Sequence, residues 1–137
     1  MEQRDLIKDQ IEQLGKVLAK MLSDFLGLKS EGKLSEGIES TNYRLQTELD
    51  IDIHQLLNFT KEELKNFFAN RQHTPEHLET LSDYLKEAGI AELELNEGGK
   101  SKMYFQKAIE LLEIANENSQ TMSFERMTKQ AEIEKLL

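Results

Sequence analysis

The sequence predicts an all-α protein, a bundle of about six or seven helices built from two helical hairpins. Three observations predict it. Apolar residues recur at alternating steps of four and three over long stretches, which marks one buried stripe on each helix. One proline, seven glycines and no tryptophan leave too little turn punctuation for a many-stranded sheet. Capping signals also stand where helices should begin, in Thr60-Lys61-Glu62-Glu63 and in Thr74-Pro75-Glu76.

From Arg4 to about Leu28, the residues Ile7, Ile11, Leu14, Leu18, Met21, Phe25 and Leu28 form the seam of a long first helix. Leu6, Val17, Leu22 and Leu26 widen that seam. A stripe this broad predicts packing against more than one neighbour, within a bundle or across a homodimer interface, and the bundle is favoured. Gly15 inside the helix predicts close approach of another backbone. Gly27 and the segment 29–33 read as a turn, after which Leu34, Ile38, Thr41, Leu45 and Leu49 mark a second helix and close an N-terminal hairpin over 4–49. Asp50 and Asp52 read as N-caps of a short helix carrying Ile53, Leu56 and Leu57. Thr60 and Glu63 form a capping box for a helix bearing Leu64, Phe67 and Phe68, with Phe59 as its hydrophobic staple. These short helices and the loop 70–73 occupy 50–73.

Thr74 offers a capping hydroxyl, Pro75 needs no amide in the first turn, and Glu76 complements the helix dipole. The helix they open should run to about Asn96 and bury Leu78, Leu81, Leu85, Ala88 and Leu95, with Tyr84 beside them. Asn96-Glu97-Gly98-Gly99 reads as a turn. A further helix from Met103 to about Asn116 faces inward through Tyr104, Phe105, Ala108, Ile109, Leu112 and Ala115. A final helix, starting at Thr121 or Ser123, carries Phe124, Met127 and Ala131 across the hairpin, so 74–137 completes a single domain over 1–137.

The hairpin of about 82–115 resembles a tetratricopeptide unit. Leu85 stands at that repeat's large apolar position, Gly89 at the point of closest helix approach, and Phe105 and Ala108 at its aromatic and alanine positions. Ser101 replaces the usual alanine, Glu92 replaces the usual tyrosine, and the closing proline is missing. A fainter version lies in Gly32-Lys33-Leu34-Ser35-Glu36-Gly37, with Thr41 and Arg44 at the aromatic and alanine positions. Gly37 and Ser101 are equivalent places separated by a two-helix insert, so a regular solenoid with a long concave groove is not expected. Asp5-Leu6-Ile7, Ile11-Glu12-Gln13-Leu14-Gly15-Lys16 and the stretch from Leu81 to Gly89 are similar to a family of short bacterial helical proteins. That resemblance implies a fold and carries no activity, substrate or site residue.

At 137 residues the chain can bury a real core without a covalent staple. Its formal charge of -9, without a cluster of Lys and Arg, argues against binding a phosphate backbone and predicts no nucleic-acid partner. The absence of cysteine excludes disulfides, thiolate catalysis and zinc–thiolate sites. No segment has the apolar length of a membrane span, and Met1-Glu2-Gln3-Arg4-Asp5 leads into a charged stretch and not into a secretory signal, so the cytoplasm is expected.

Candidate sites are few. His73 and His77 are four apart with Glu76 between them, a metal-ligand spacing, but His73 precedes the Thr74 cap and should lie outside the helix, so no metal or cofactor is predicted. His54 is a lone histidine in a short apolar helix. Glu92 with Glu94, and Glu110 with Glu113, are carboxylate pairs that read as solvated helix faces and not as acid–base machinery. Tyr104, Phe105, Phe124 and Met127 read as core, with a ligand pocket between the last helices as the alternative. No phosphate loop, nucleophile elbow or triad order occurs, so no catalytic residue is assigned. The sequence therefore points to a non-enzymatic protein-interaction or adaptor module that could pair with itself through the first helix. The alternative is a binder of a small or lipid-like molecule, with its pocket between the bundle and the last hairpin.

Overall fold

A computed structural model describes residues 3–121 and 123–137, with side chains from residue 7 onward. Among them are seven helices and no strand: α1 (Gln3–Ser30), α2 (Leu34–Leu49), α3 (Ile53–Leu57), α4 (Lys61–Ala69), α5 (Pro75–Glu94), α6 (Gly98–Asn118) and α7 (Phe124–Glu134). The chain is an all-α helical bundle. The side chain of Leu6, expected to widen the α1 seam, lies outside the described residues.

The α1 seam is buried where it meets other helices, at Leu18, Met21 and Phe25, and Ile7 near its start is exposed. Gly27 continues the helix; the turn lies at 31–33, with Gly32 at φ +78°, a left-handed backbone that favours glycine. α2 then returns along α1, and Arg44 pairs with Asp24 at 2.9 Å. A Cβ on Gly37 would lie 3.2 Å from the Phe25 ring, so the two helices cross closely there. Gly15 is also a close approach, but to the His77 imidazole (3.2 Å) and not to another backbone. Gly15 against His77, Phe25 edge-on to Tyr84 (5.2 Å) and Lys29 paired with Glu87 (2.7 Å) step along both helices in the same direction, so α1 and α5 are parallel.

α5 and α6 form the most extensive helix pair, with α3, α4 and α7 packed around α6. α6 is therefore buried on nearly every side, including Lys107 and Glu110 along with its apolar residues. Those two charges are tolerable together: Lys107 Nζ reaches Glu110 Oε1 at 2.7 Å, and Gln106 Nε2 donates to the other carboxylate oxygen at 3.0 Å. Glu110 is thus no solvated face.

The expected capping box at Thr60 and Glu63 is present in both directions (3.1 and 2.9 Å). Asp52 caps α3, accepting from the Gln55 amide. Asp50 is not an N-cap; it ends α2 in the left-handed conformation at φ 54°, which a short polar side chain tolerates. The connection between α5 and α6 is also tighter than expected. Asn96, at φ 63°, makes the reversal, and Gly98 and Gly99 belong to the first turn of α6.

α7 is rotated relative to the expectation. Arg126 and Ile133 face the bundle, while Phe124 and Met127 are 85% and 43% exposed and Ala131 is also at the surface. Ion pairs and a hydrogen bond hold this rotation: Lys129 meets Glu79 (3.2 Å) and Asp83 (3.1 Å), and Arg126 Nε donates to Asn116 at 2.8 Å. Phe124 and Met127 therefore form no pocket with Tyr104 and Phe105, which are in the core.

Candidate functional site

Gly89 and Phe105 meet in the α5–α6 interface, and Leu85 and Ala108 are buried on the same two helices. A Cβ on Gly89 would lie 2.6 Å from Phe105 Cε1, so only glycine lets the ring come this close to α5. Leu85, Phe105 and Ala108 are fully buried, and Ser82 Oγ donates to the Ala108 carbonyl at 2.8 Å. These residues are scaffold, closed to any ligand.

The tip of the same hairpin is open. A cleft of about 840 Å3 lies between α2, α3 and the turn joining α5 to α6. Ser35, Ile38, Glu39, Asn42, Tyr43 and Gln46, spaced three and four apart, supply the α2 wall. The opposite side is built by Glu92, Leu95 and Glu97, and by Lys100, Met103 and Tyr104 on the first turns of α6. α3 closes one end with Asp52, Ile53, His54, Leu57 and Asn58. Two local features hold that end: Asp50 turns the chain out of α2, and Arg71 donates to the Leu49 carbonyl (3.1 Å) while stacking on Phe67 (3.9 Å).

A directed hydrogen-bond chain runs through the polar floor. Tyr84 Oη donates to Asn42 Oδ1 at 2.6 Å, and Asn42 Nδ2 donates to Tyr104 Oη at 3.0 Å. Burial pushes both phenols up from their ordinary range, strongly for Tyr84, so both remain protonated. Because Tyr104 Oη accepts from Asn42, its own proton is left to donate. Glu92 stands nearby, only 6% exposed, and its Oε2 has no hydrogen-bond partner among the described residues. Desolvation raises the Glu92 pKa, Glu97 adds to the rise and Lys100 opposes it.

The two histidines at the start of α5 are structural. His73 lies outside the helix, with both ring nitrogens buried and unpartnered, and packs edge-on against Phe68 at 5.0 Å. Desolvation, helped by His77 and Arg71, lowers its pKa to about 4. His77 takes the place of an acid in a capping box: Thr74 Oγ1 accepts from the His77 amide, and the Thr74 amide donates to His77 Nδ1 (3.1 Å). With Nδ1 accepting, the proton sits on Nε2, which faces the Ile11 backbone. No cluster of three or more His, Asp or Glu among the described residues is arranged to hold a metal ion. His54 is on the cleft wall, Glu94 is exposed, and Glu113 pairs with Lys61 at 3.6 Å.

Glu92 was readable only as a surface acid or as a departure from the repeat pattern. The roles of Asn42, Lys100 and Met103 carry no local signal, since the cleft depends on helices that meet across long sequence separations. None of the described helices is long and apolar enough to cross a membrane. Comparisons with family profiles, curated proteins and solved structures return no match.

Proposed function

We propose that this chain is a non-enzymatic cytoplasmic binding protein whose ligand is a small organic molecule held in the cleft between α2, α3 and the α5–α6 turn. The observation that carries this reading is an open volume of about 840 Å3 over a floor of fixed polar groups. Small-molecule sites occupy about 300–1,000 Å3 and combine apolar walls with a few placed polar groups. Ile38, Leu57, Leu95 and Met103 provide such walls. No other side chain among those described hydrogen-bonds to Glu92 Oε2, which leaves that oxygen to be met by a ligand. The hairpin beneath is taken as a tetratricopeptide-type scaffold, supported by the fit of Gly89 against Phe105, within the short bacterial helical family suggested by the sequence.

Tyr43 is 70% exposed at the rim, and the chain has no tryptophan, so Tyr43→Trp installs a single fluorescent reporter. Saturable emission changes with small amphipathic molecules, and amide shifts confined to Asn42, Met103 and Tyr104, are expected. Unsaturable changes with shifts scattered over the surface would refute the reading.

A second reading, an adaptor that pairs with itself or another protein, is favoured by the outward apolar strip of Phe124 and Met127 on α7 and by exposed Ile7 on α1. Light scattering across a concentration series tests the self-pairing; a constant monomer mass removes it.

A further inference from the structure

Glu92 is a carboxylate with nowhere to spend its charge. It is only 6% exposed, its Oε2 has no hydrogen-bond partner among the described residues, and Lys100 lies close enough to influence it without forming an ion pair with it. Burying an acid this way is unfavourable unless something compensates it. Glu92 is one of the residues that line the cleft, with its Oε2 tucked beneath the surface. Around it the lining is acidic, with Glu39, Asp52 and Glu97 against the single cation Lys100. Beside it, the chain from Tyr84 through Asn42 leaves the Tyr104 hydroxyl as a donor.

Resting on the reading of this cleft as a small-molecule site, we propose that its ligand is an organic cation, a primary ammonium on a short apolar stem, with the ammonium on Glu92 and the stem against Met103 and Leu95. An ammonium offers donors without acceptors, which matches a carboxylate lacking any donor partner. An oxygen next to the ammonium would accept from Tyr104. An anion is disfavoured by the surrounding acids, and a neutral molecule would leave Glu92 uncompensated. Burial raises the Glu92 pKa in the empty site, and a bound cation opposes that rise, so the amine should bind more tightly as pH rises through the carboxylate range.

The test uses the full chain and two probes of matched shape, 2-phenylethylamine and neutral 2-phenylethanol, titrated by calorimetry and by amide shifts. The expected result is that the amine binds at least ~10-fold more tightly than the alcohol, with shifts at Glu92, Met103 and Tyr104. Glu92→Gln should remove that preference while leaving alcohol binding intact, and Lys100→Met should strengthen amine binding. Because Glu92→Gln conserves shape, retained alcohol binding shows that the variant is folded. If amine and alcohol bind equally and Glu92→Gln changes nothing, the cation proposal is overturned while the cleft reading stands. If neither probe binds, both fall.

Discussion

Substituting Gly89 by alanine places one methyl group at the tightest contact between α5 and α6. On helix propensity alone the change would stabilise by about 1 kcal/mol, since glycine in a helix interior is unfavourable by that amount. Packing decides otherwise. The new Cβ would stand 2.6 Å from Phe105 Cε1 and 2.8 Å from Cδ1, and the ring is 0% exposed, so it cannot swing aside. Overpacking a rigid core costs about 1–3 kcal/mol, and a contact this short belongs near the upper end. Subtracting the propensity gain leaves a net loss of about 2 kcal/mol, or roughly 8 °C in Tm for a chain of this size. Gly99→Ala is the matched control. It lies in the first turn of α6 with nothing within 4 Å, and is expected to stabilise by about 0.5 kcal/mol. Urea denaturation followed by circular dichroism measures both, and pairing Gly89→Ala with Phe105→Leu should recover about 1 kcal/mol relative to the summed single changes. If Gly89→Ala proves as stable as the parent, α5 and α6 do not approach closely enough for a Cβ to meet the Phe105 ring at 2.6 Å.

Acid should destabilise the chain through His73. Its pKa is about 4 when folded against 6.5 when unfolded, so its contribution is complete above pH 6.5 and is lost as pH falls from 6.5 to 4. At 1.36 kcal/mol per pH unit the interval gives about 3 kcal/mol, reduced to about 2 by partial solvent screening. His73→Leu should flatten most of that slope in urea midpoints measured across this window; an unchanged slope contradicts the assignment. Thr74→Ala removes the cap of α5 and should cost about 1 kcal/mol, with the loss visible as faster hydrogen exchange in its first turn. Lys107→Met strands the Glu110 carboxylate in the core and should cost about 3 kcal/mol by thermal melting, whereas Lys107→Met with Glu110→Leu should cost less than that single change. Lys129→Met should loosen α7 by about 0.5–1 kcal/mol, read as faster exchange confined to α7.

What the sequence made legible was local. The four-three spacing of Leu18, Met21 and Phe25 marks a face, and the Thr60 and Thr74 caps mark helix starts, because these depend on residues within one or two turns. The turn expected at Asn96-Glu97-Gly98-Gly99 does hold the reversal, which Asn96 makes in the left-handed conformation, but its two glycines already belong to α6. Phe124, Met127 and Ala131 share a stripe and so predict the wrong face of α7 inward, whereas its orientation is fixed by Lys129 and Arg126 acting on acids of α5. The cleft had the same obscurity. Asn42 meets Tyr84 and Tyr104 at separations of 42 and 62 residues, and no periodicity reports such a meeting.

The parallel packing of α1 on α5 has a consequence for synthesis. Lys29 finds Glu87 58 residues further along the chain, and Phe25 packs against Tyr84 over a similar interval. A nascent chain therefore leaves the ribosome with Leu18, Met21 and Phe25 covered on one flank by α2 at most, and they wait for α5 to emerge. The greasy seam of the first helix thus stays uncovered while some 58 further residues are made, and the interval before α5 arrives is when a chaperone or a neighbouring nascent chain has its best access to it.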